Sequence, residues 1–178
     1  MNGKWCVRCG KTDPTPYLKN AFTRFLNSTD REMPVIDVGC GNGRNSKFMA
    51  AEGFTTVIPL DMACAQGSGC LTTVLGKDDF PVLDSQAGII LANYILMFLD
   101  NMELSKTMDE IDRVAAPGCF LVIELYAAKD CNYKTPEDIA WLNKACSKWL
   151  QEHGWEKLRL SKDKSIHIKL KDSDEETK

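Results

Sequence analysis

The chain reads as an α/β protein, with a mostly parallel sheet between helices and an antiparallel hairpin at its C-terminal end. Three observations predict this. Residues 35 to 38, Val-Ile-Asp-Val, form an apolar strand that runs straight into Gly39-Cys40-Gly41-Asn42-Gly43 and then a helical stretch. Strand-length apolar runs then alternate with segments of helical period along the chain. Finally, Trp155 to Leu160 and Ser165 to Leu170 alternate apolar and polar residues about Lys162-Asp163-Lys164, the pattern of a hairpin.

Each element follows from local sequence. Residues 14 to 27 carry Tyr17, Leu18, Ala21, Phe22, Phe25 and Leu26 at three- and four-residue spacing, with Pro14 and Pro16 at the start, where proline is tolerated. Strand one is 35–38, a helix spans 44–52, and strand two covers 55–60 with Pro59 placed awkwardly inside it. A short cysteine- and glycine-containing connection, 62–70, leads to strand three at 71–75 and a polar loop at 76–81. Strand four, 87–92, is apolar throughout, as expected when both faces are covered, and continues into Asn93-Tyr94-Ile95-Leu96. Leu104, Met108, Ile111 and Val114 mark a helix closed by Pro117-Gly118, before strand five at 119–126. Thr135-Pro136-Glu137-Asp138 is a helix start: a cap, a proline at the first position and acids at the positive end. That helix runs to about 153, where His153 and Gly154 end it. Residues 1–171 are expected to form one domain, with 1–30 as an N-terminal lid and helix segment and 172–178 as an acidic disordered tail.

Composition narrows the function. The 178 residues carry a formal charge of −3, which supplies no global attraction for nucleic acid or an anionic membrane. No apolar run reaches bilayer-spanning length, and Met1-Asn2-Gly3-Lys4-Trp5 lacks an apolar signal region, so the expectation is a soluble cytoplasmic chain. Eight cysteines are scattered without a framework and read as reduced thiols. Cys6 and Cys9 form one metal-like pair, but no second pair of similar spacing exists, and no metal is expected. His153 reads as a helix-end cap and His167 as an exposed histidine on the face opposite Ile166 and Ile168.

The glycine turn carries the chemistry. Gly39, Gly41 and Gly43 fall two apart behind Asp37, and bare backbone there lets a ligand lie close. A dinucleotide site wants Gly-x-Gly-x-x-Gly, whereas the third position here is Arg44. Asp61 then ends strand two about 20 residues on, where a carboxylate accepts both hydroxyls of a ribose. Asp-x-Gly-x-Gly-x-Gly with this second acid resembles the Rossmann-like, class I S-adenosylmethionine-dependent methyltransferases, over roughly residues 14 to 171. The resemblance implies a seven-stranded sheet and S-adenosylmethionine as cofactor. It places Asp37 and the turn of Gly39, Gly41 and Gly43 at the methionine end and Asp61 at the ribose, with Cys40, Asn45 and Met62 among the cofactor-binding residues. Asp78 and Asp79 both meet the requirement for an acid beside the adenine amino group. It also implies that the helix between strands three and four is reduced or missing.

The same resemblance puts the end of strand four beside the transferable methyl. Asn93 then contacts the cofactor, and Asn93, Tyr94 and Tyr126 face the reaction. Trp5, Arg8 and Tyr17 are candidates for a lid. Asn93-Tyr94-Ile95-Leu96 departs from the Asn-Pro-Pro-Tyr signature of enzymes that methylate amino groups of bases or glutamine. Arg44-Asn45-Ser46 after the turn and Met97-Phe98-Leu99 after strand four are similar to the tellurite-resistance and thiopurine-type group, which implies a small-molecule acceptor. Lys157, Arg159, Lys162, Lys164, Lys169 and Lys171 make the hairpin basic and supply the alternative of an RNA or protein acceptor. A non-catalytic cofactor-binding protein is the third reading.

Overall fold

A computed structural model describes residues 12–64, 69–125, 135–160 and 163–170, without the side chain of Leu160. Its elements are α1 (Pro16–Arg24), β1 (Val35–Val38), α2 (Arg44–Ala51), β2 (Val57–Asp61), β3 (Leu71–Thr72), β4 (Ala87–Asn93), α3 (Asn101–Val114), β5 (Ala115–Glu124), α4 (Pro136–Glu152), β6 (Trp155–Leu160) and β7 (Lys164–Lys169). They build a seven-stranded sheet of order β3-β2-β1-β4-β5-β7-β6. The pairs among β1 to β5 are parallel, and β7 lies antiparallel to both β5 and β6. This is the mostly parallel sheet with a C-terminal hairpin that the sequence predicts. From β1 the chain builds outward through β2 and β3, then returns to β4 on the other side of β1. The carboxyl ends of β1 and β4 therefore flank a topological switch point, where open α/β sheets bind ligands.

Side-chain alternation sorts the core into two layers. Val35, Ile89, Leu91, Val122 and Ile166 face Leu18, Phe22 and Leu26 of the N-terminal segment and Met49 of α2. Ile36, Ile90, Ala92, Leu121 and Ile123 face Met108 and Ile111 of α3 and Ile139, Leu142 and Leu150 of α4. Neighbouring residues of one strand point to opposite faces, so every residue of β4 is buried, as its unbroken apolar run requires. The helix starts are set by capping. Thr15 Oγ1 accepts from Leu18 N–H, and Asp100 with Glu103 and Thr135 with Asp138 form reciprocal capping boxes.

Two strand boundaries, at β3 and β5, differ from expectation for local reasons, and Pro59 finds a place inside β2. β3 ends at Thr72 rather than residue 75, because the Val74 carbonyl accepts from Lys77 and Asp78 N–H and the Asp78 carboxylate accepts from Val74 N–H, turning the chain away. β5 starts at Ala115, directly after α3, and Pro117-Gly118 fall inside it. Ala87 pairs with Ala115 but Ile89 with Phe120, so the two residues are absorbed in a bulge. Pro59 pairs with Asp37 one residue before β3 joins β2 at Leu60, so the outer edge of β2 has no strand beside it there. Among the described residues no helix separates β3 from β4, matching the reduced connection. None of the described helices is long and apolar enough to cross a membrane.

Two side-chain expectations are corrected. Cys64 and Cys70 are joined in a disulfide rather than free, while Cys40, Cys119 and Cys146 are buried thiols. His167 is fully buried rather than exposed: β7 lies between β5 and β6, and the face opposite Ile166 is covered by α4, whose Ser147 Oγ lies 3.3 Å from His167 Nε2. His153 does close α4, with Nδ1 2.7 Å from the Trp149 carbonyl. Cys6, Cys9, Cys131 and the acidic tail lie outside the described residues.

Candidate cofactor and acceptor site

The turn after β1 is built from left-handed backbone. Gly39, Gly41 and Gly43 have φ of +67°, +57° and +71°, values that only glycine adopts without strain. The three glycines then divide in role. A Cβ on Gly39 would stand 2.4 Å from Ile95 Cγ1, so this glycine lets the segment after β4 press against the turn. A Cβ on Gly41 or Gly43 would meet nothing within 4 Å, so these two border open space with bare backbone. Gly43 is the residue before α2, and the first N–H groups of that helix point toward the same space.

Two buried carboxylates flank the turn. Asp37, 2 % exposed at the end of β1, accepts a 2.5 Å hydrogen bond from Ser46 Oγ. Burial pushes its pKa up to about 6 against the opposing effect of that hydrogen bond, and the Asp61 charge raises it further. Asp61, at the end of β2, accepts from Gly41 N–H at 2.8 Å through Oδ2 and from Ala63 N–H at 3.0 Å through Oδ1. It thereby fixes the turn while each oxygen keeps a second lone pair. Cys40 lies between them, 3.7 Å sulfur to sulfur from Cys70, its thiol pushed up to about 12 by burial and by both carboxylates.

A second cluster stands across the switch point, at the ends of β4 and β5. Asn93 and Glu124 are paired in register. Glu124 is 1 % exposed. Its Oε2 accepts from Asn93 Nδ2 at 3.0 Å, and its Oε1 accepts from the Tyr94 hydroxyl at 2.5 Å. Lys164 Nζ lies 3.7 Å from Oε1. Because the carboxylate fixes the amide nitrogen of Asn93, the amide oxygen faces away, and it is buried without a partner. Tyr94 holds a left-handed φ of +61°, a conformation that costs energy for a non-glycine residue, and its N–H donates to the Glu124 carbonyl at 2.6 Å. The Arg44 guanidinium lies 5.9 Å from the Tyr94 ring centre, linking this cluster to α2. The Tyr17 hydroxyl is also buried without a partner, and burial pushes its pKa up to about 12.

The sequence-derived residues are thus partly brought together. Asp37, the glycines, Cys40 and Asp61 form one cluster, and Asn93 and Tyr94 belong to the other. Asn45 is buried, and its side-chain oxygen accepts from Thr15 N–H at 3.3 Å, tying α1 to α2. Met62 is 69 % exposed just beyond Asp61. Asp78 spends one carboxylate oxygen on Val74 N–H within its own turn, and Asp79 is exposed beside it. Tyr126, Trp5 and Arg8 lie outside the described residues. Sequence reasoning missed Glu124, and it noted Arg44 only for its family resemblance. The signal for Glu124 was present, an acid ending an apolar strand, as at Asp61. Among the described residues no cluster of histidine, cysteine and acid side chains suits a metal ion.

Sequence comparison with curated proteins returns no match. The fold matches many solved structures. A SAM-dependent methyltransferase from Aquifex aeolicus is 18% identical, with TM-score 0.57 over 82% of this chain and 87% of that one. A TehB-like SAM-dependent methyltransferase from Corynebacterium glutamicum is 15% identical, with TM-score 0.62 over 87% and 95%. The 1,6-didemethyltoxoflavin-N1-methyltransferase of Burkholderia thailandensis, solved with its acceptor and S-adenosylhomocysteine, is 13% identical, with TM-score 0.61 over 88% and 78%. The pattern of the family described as methyltransferase domain matches residues 13–175, and the chain belongs to that family of S-adenosylmethionine-dependent enzymes.

Proposed function

We propose that this methyltransferase acts on a small-molecule acceptor, held between the glycine turn and the ends of β4 and β5. The observation that carries the cofactor side is the open backbone at Gly41 and Gly43, flanked by Asp37 and Asp61. These residues fit the cofactor: bare N–H groups and two carboxylates suit its ammonium, carboxylate and ribose hydroxyls, and nothing in the turn is shaped for a pyrophosphate. When bound, S-adenosylmethionine supplies a methyl group activated by a sulfonium charge. In this reading Asp37 and the backbone from Gly39 to Gly43, with Cys40 between, take the methionine end. Asn45 braces them from α2. Asp61 turns its remaining lone pairs to the ribose, with Met62 alongside, and Asp78 or Asp79 meets the adenine amino group. Asn93, Tyr94 and Tyr126 hold the acceptor in line and keep water out.

Two of the six basic residues of the hairpin are already engaged within the domain. Lys164 is paired with Glu124 and Asp163, and Lys169 with Asp112. Those charges are used inside the domain and are not left to meet phosphates. The Burkholderia enzyme, solved with 1,6-didemethyltoxoflavin bound, supports a small-molecule acceptor on this fold.

Calorimetric titration with S-adenosylhomocysteine tests the cofactor side. Asp61→Ala is expected to weaken binding by about 1–3 kcal/mol, the range for losing a charged hydrogen-bonding partner. Unchanged affinity removes Asp61 from the site. Labelled-methyl transfer to a cell lysate, fractionated into small molecules, RNA and protein, is expected to place label in the small-molecule fraction. Label confined to RNA or protein refutes the acceptor class.

A further inference from the structure

We infer that Tyr94 and Glu124 form a proton-accepting pair, so that the acceptor enters carrying an O–H or N–H and not as an anion. The inference rests on the methyltransferase reading above and concerns its acceptor class. Glu124 is buried, and the cofactor reading above, which gives that role to Asp37 and Asp61, leaves it no part in cofactor binding. Both Glu124 oxygens are engaged by donors from the end of β4, the Asn93 amide and the Tyr94 hydroxyl. The Tyr94 backbone is held at φ +61° while its N–H and its hydroxyl both bond to Glu124, so the ring is locked in one place at local cost. Such strain is retained where a surrounding structure over-determines it, as at a functional site.

The second observation is the Asn93 amide oxygen. Asn93 is 7 % exposed, and this oxygen has no partner. A buried acceptor atom left open costs free energy unless a ligand donor meets it. The polar atoms that the cluster offers beside β4 are therefore an amide oxygen and a phenol backed by a carboxylate. They suit an incoming donor. An anionic acceptor would meet an amide oxygen and a phenol whose proton is already given to a carboxylate, and Lys164, 3.7 Å from that carboxylate, is paired with it.

The proton path balances. The acceptor atom gives its proton to Tyr94 Oη as the Tyr94 proton passes to Glu124 Oε1. The electron pair freed on the acceptor forms the new bond to the methyl carbon. A bound S-adenosylmethionine would supply that methyl and keep the carbon–sulfur electron pair as a neutral thioether. The positive charge of the sulfonium and the negative charge of Glu124 are both discharged. Tyr94 is the catalytic residue, and Glu124 acts through it.

The test uses the full chain, Glu124→Gln and Tyr94→Phe. Calorimetry with S-adenosylhomocysteine comes first: all three should bind within about threefold of one another, and failure of the wild type to bind would refute the cofactor reading, not this one. Ligand-observed NMR in the presence of S-adenosylhomocysteine then compares phenol, aniline and benzoate. Wild type is expected to bind phenol and aniline at least tenfold better than benzoate, and Glu124→Gln to lose that preference. With the small-molecule fraction of lysate as acceptor, both variants should lower kcat at least a hundredfold with KM within threefold. Tyr94→Phe keeps the ring and guards against a misfolded Glu124→Gln. Equal binding of benzoate and phenol by wild type, no binding of either, or a variant retaining more than half of wild-type kcat would overturn the proposal.

Discussion

A carboxylate that is 2 % exposed must be hydrogen-bonded or surrender its charge, and Asp37 does some of each. Ser46 donates to it, yet burial dominates and lifts its pKa from 3.8 to about 6. The sign follows directly. Between those two values the folded chain holds a proton that the unfolded chain has lost, so folding stability falls as pH rises through this window. Above pH 6 the ionised, buried Asp37 costs the free protein up to about 3 kcal/mol. Asp37→Asn keeps an oxygen to accept from Ser46 and removes the charge. It is expected to raise the melting temperature at pH 7.5 by about 3–10 °C, with the gain gone below pH 4, and to weaken S-adenosylhomocysteine binding measured by calorimetry. A variant no more stable than wild type at pH 7.5 would refute this account of Asp37. At this scale the acids beside the glycine turn were legible, because an acid ending an apolar strand has few structural reasons to be there. Glu124 carried the same signal, but its strand continues in sequence as Leu125-Tyr126, which disguised where the sheet stops pairing.

Elements were legible where one local rule decides and blurred where two compete. Prolines marked the region where α1 begins, at Pro16, although the Thr15 cap went unread, and Thr135 with Pro136 located the start of α4, as the bond from Asp138 N–H to Thr135 bears out. Pro117-Gly118 reads as a helix stop, yet the chain enters β5 at Ala115 and spends the pair on a bulge, since sheet pairing with β4 outweighs the local turn signal. The glycine turn is the clearest case of a local sequence answering to a distant element. Gly39 is required by Ile95, whose position follows β4 and which no local pattern around residue 39 reveals. Gly39→Ala must tolerate φ +67° and a Cβ 2.4 Å from Ile95 Cγ1. The backbone term is about 1–2 kcal/mol and overpacking adds about 1–3. Urea unfolding is expected to show a loss of about 2–5 kcal/mol on adding those terms. Adding Ile95→Ala should recover the packing part and leave the backbone part, a coupling that a double-mutant cycle reads directly. Strict additivity of the two substitutions would show that Gly39 and Ile95 do not meet.

For the whole molecule, strand–helix alternation was enough to foresee the parallel sheet and its closing hairpin, but not which faces the last strands bury. His167 shows why. Alternation correctly placed it opposite Ile166, and that face is solvent only if nothing covers it. Here β7 is inserted between β5 and β6, and α4 covers the face, so the ring is enclosed with Nδ1 unpartnered and Lys157 opposite it on β6. Burial lowers its pKa to about 4, and the Lys157 charge adds to this. Between that value and the ordinary 6.5, the unfolded chain binds a proton that the folded chain refuses, so stability falls as pH drops from about 6.5 to 4, by up to about 3 kcal/mol. Asp37 titrates over nearly the same window with the opposite sign, so in wild type the two contributions largely cancel. Single substitutions uncouple them. The stability of His167→Leu relative to wild type, from urea unfolding at pH 7.0, 5.5 and 4.5, is expected to rise by about 2–3 kcal/mol as pH falls. That of Asp37→Asn relative to wild type is expected to fall over the same range. Using differences removes the other titrating groups, including Glu110, whose pKa is lowered by its hydrogen bond to Arg113. A pH-independent difference for His167→Leu would mean that the ring takes its proton inside the folded sheet, which the covering by α4 forbids.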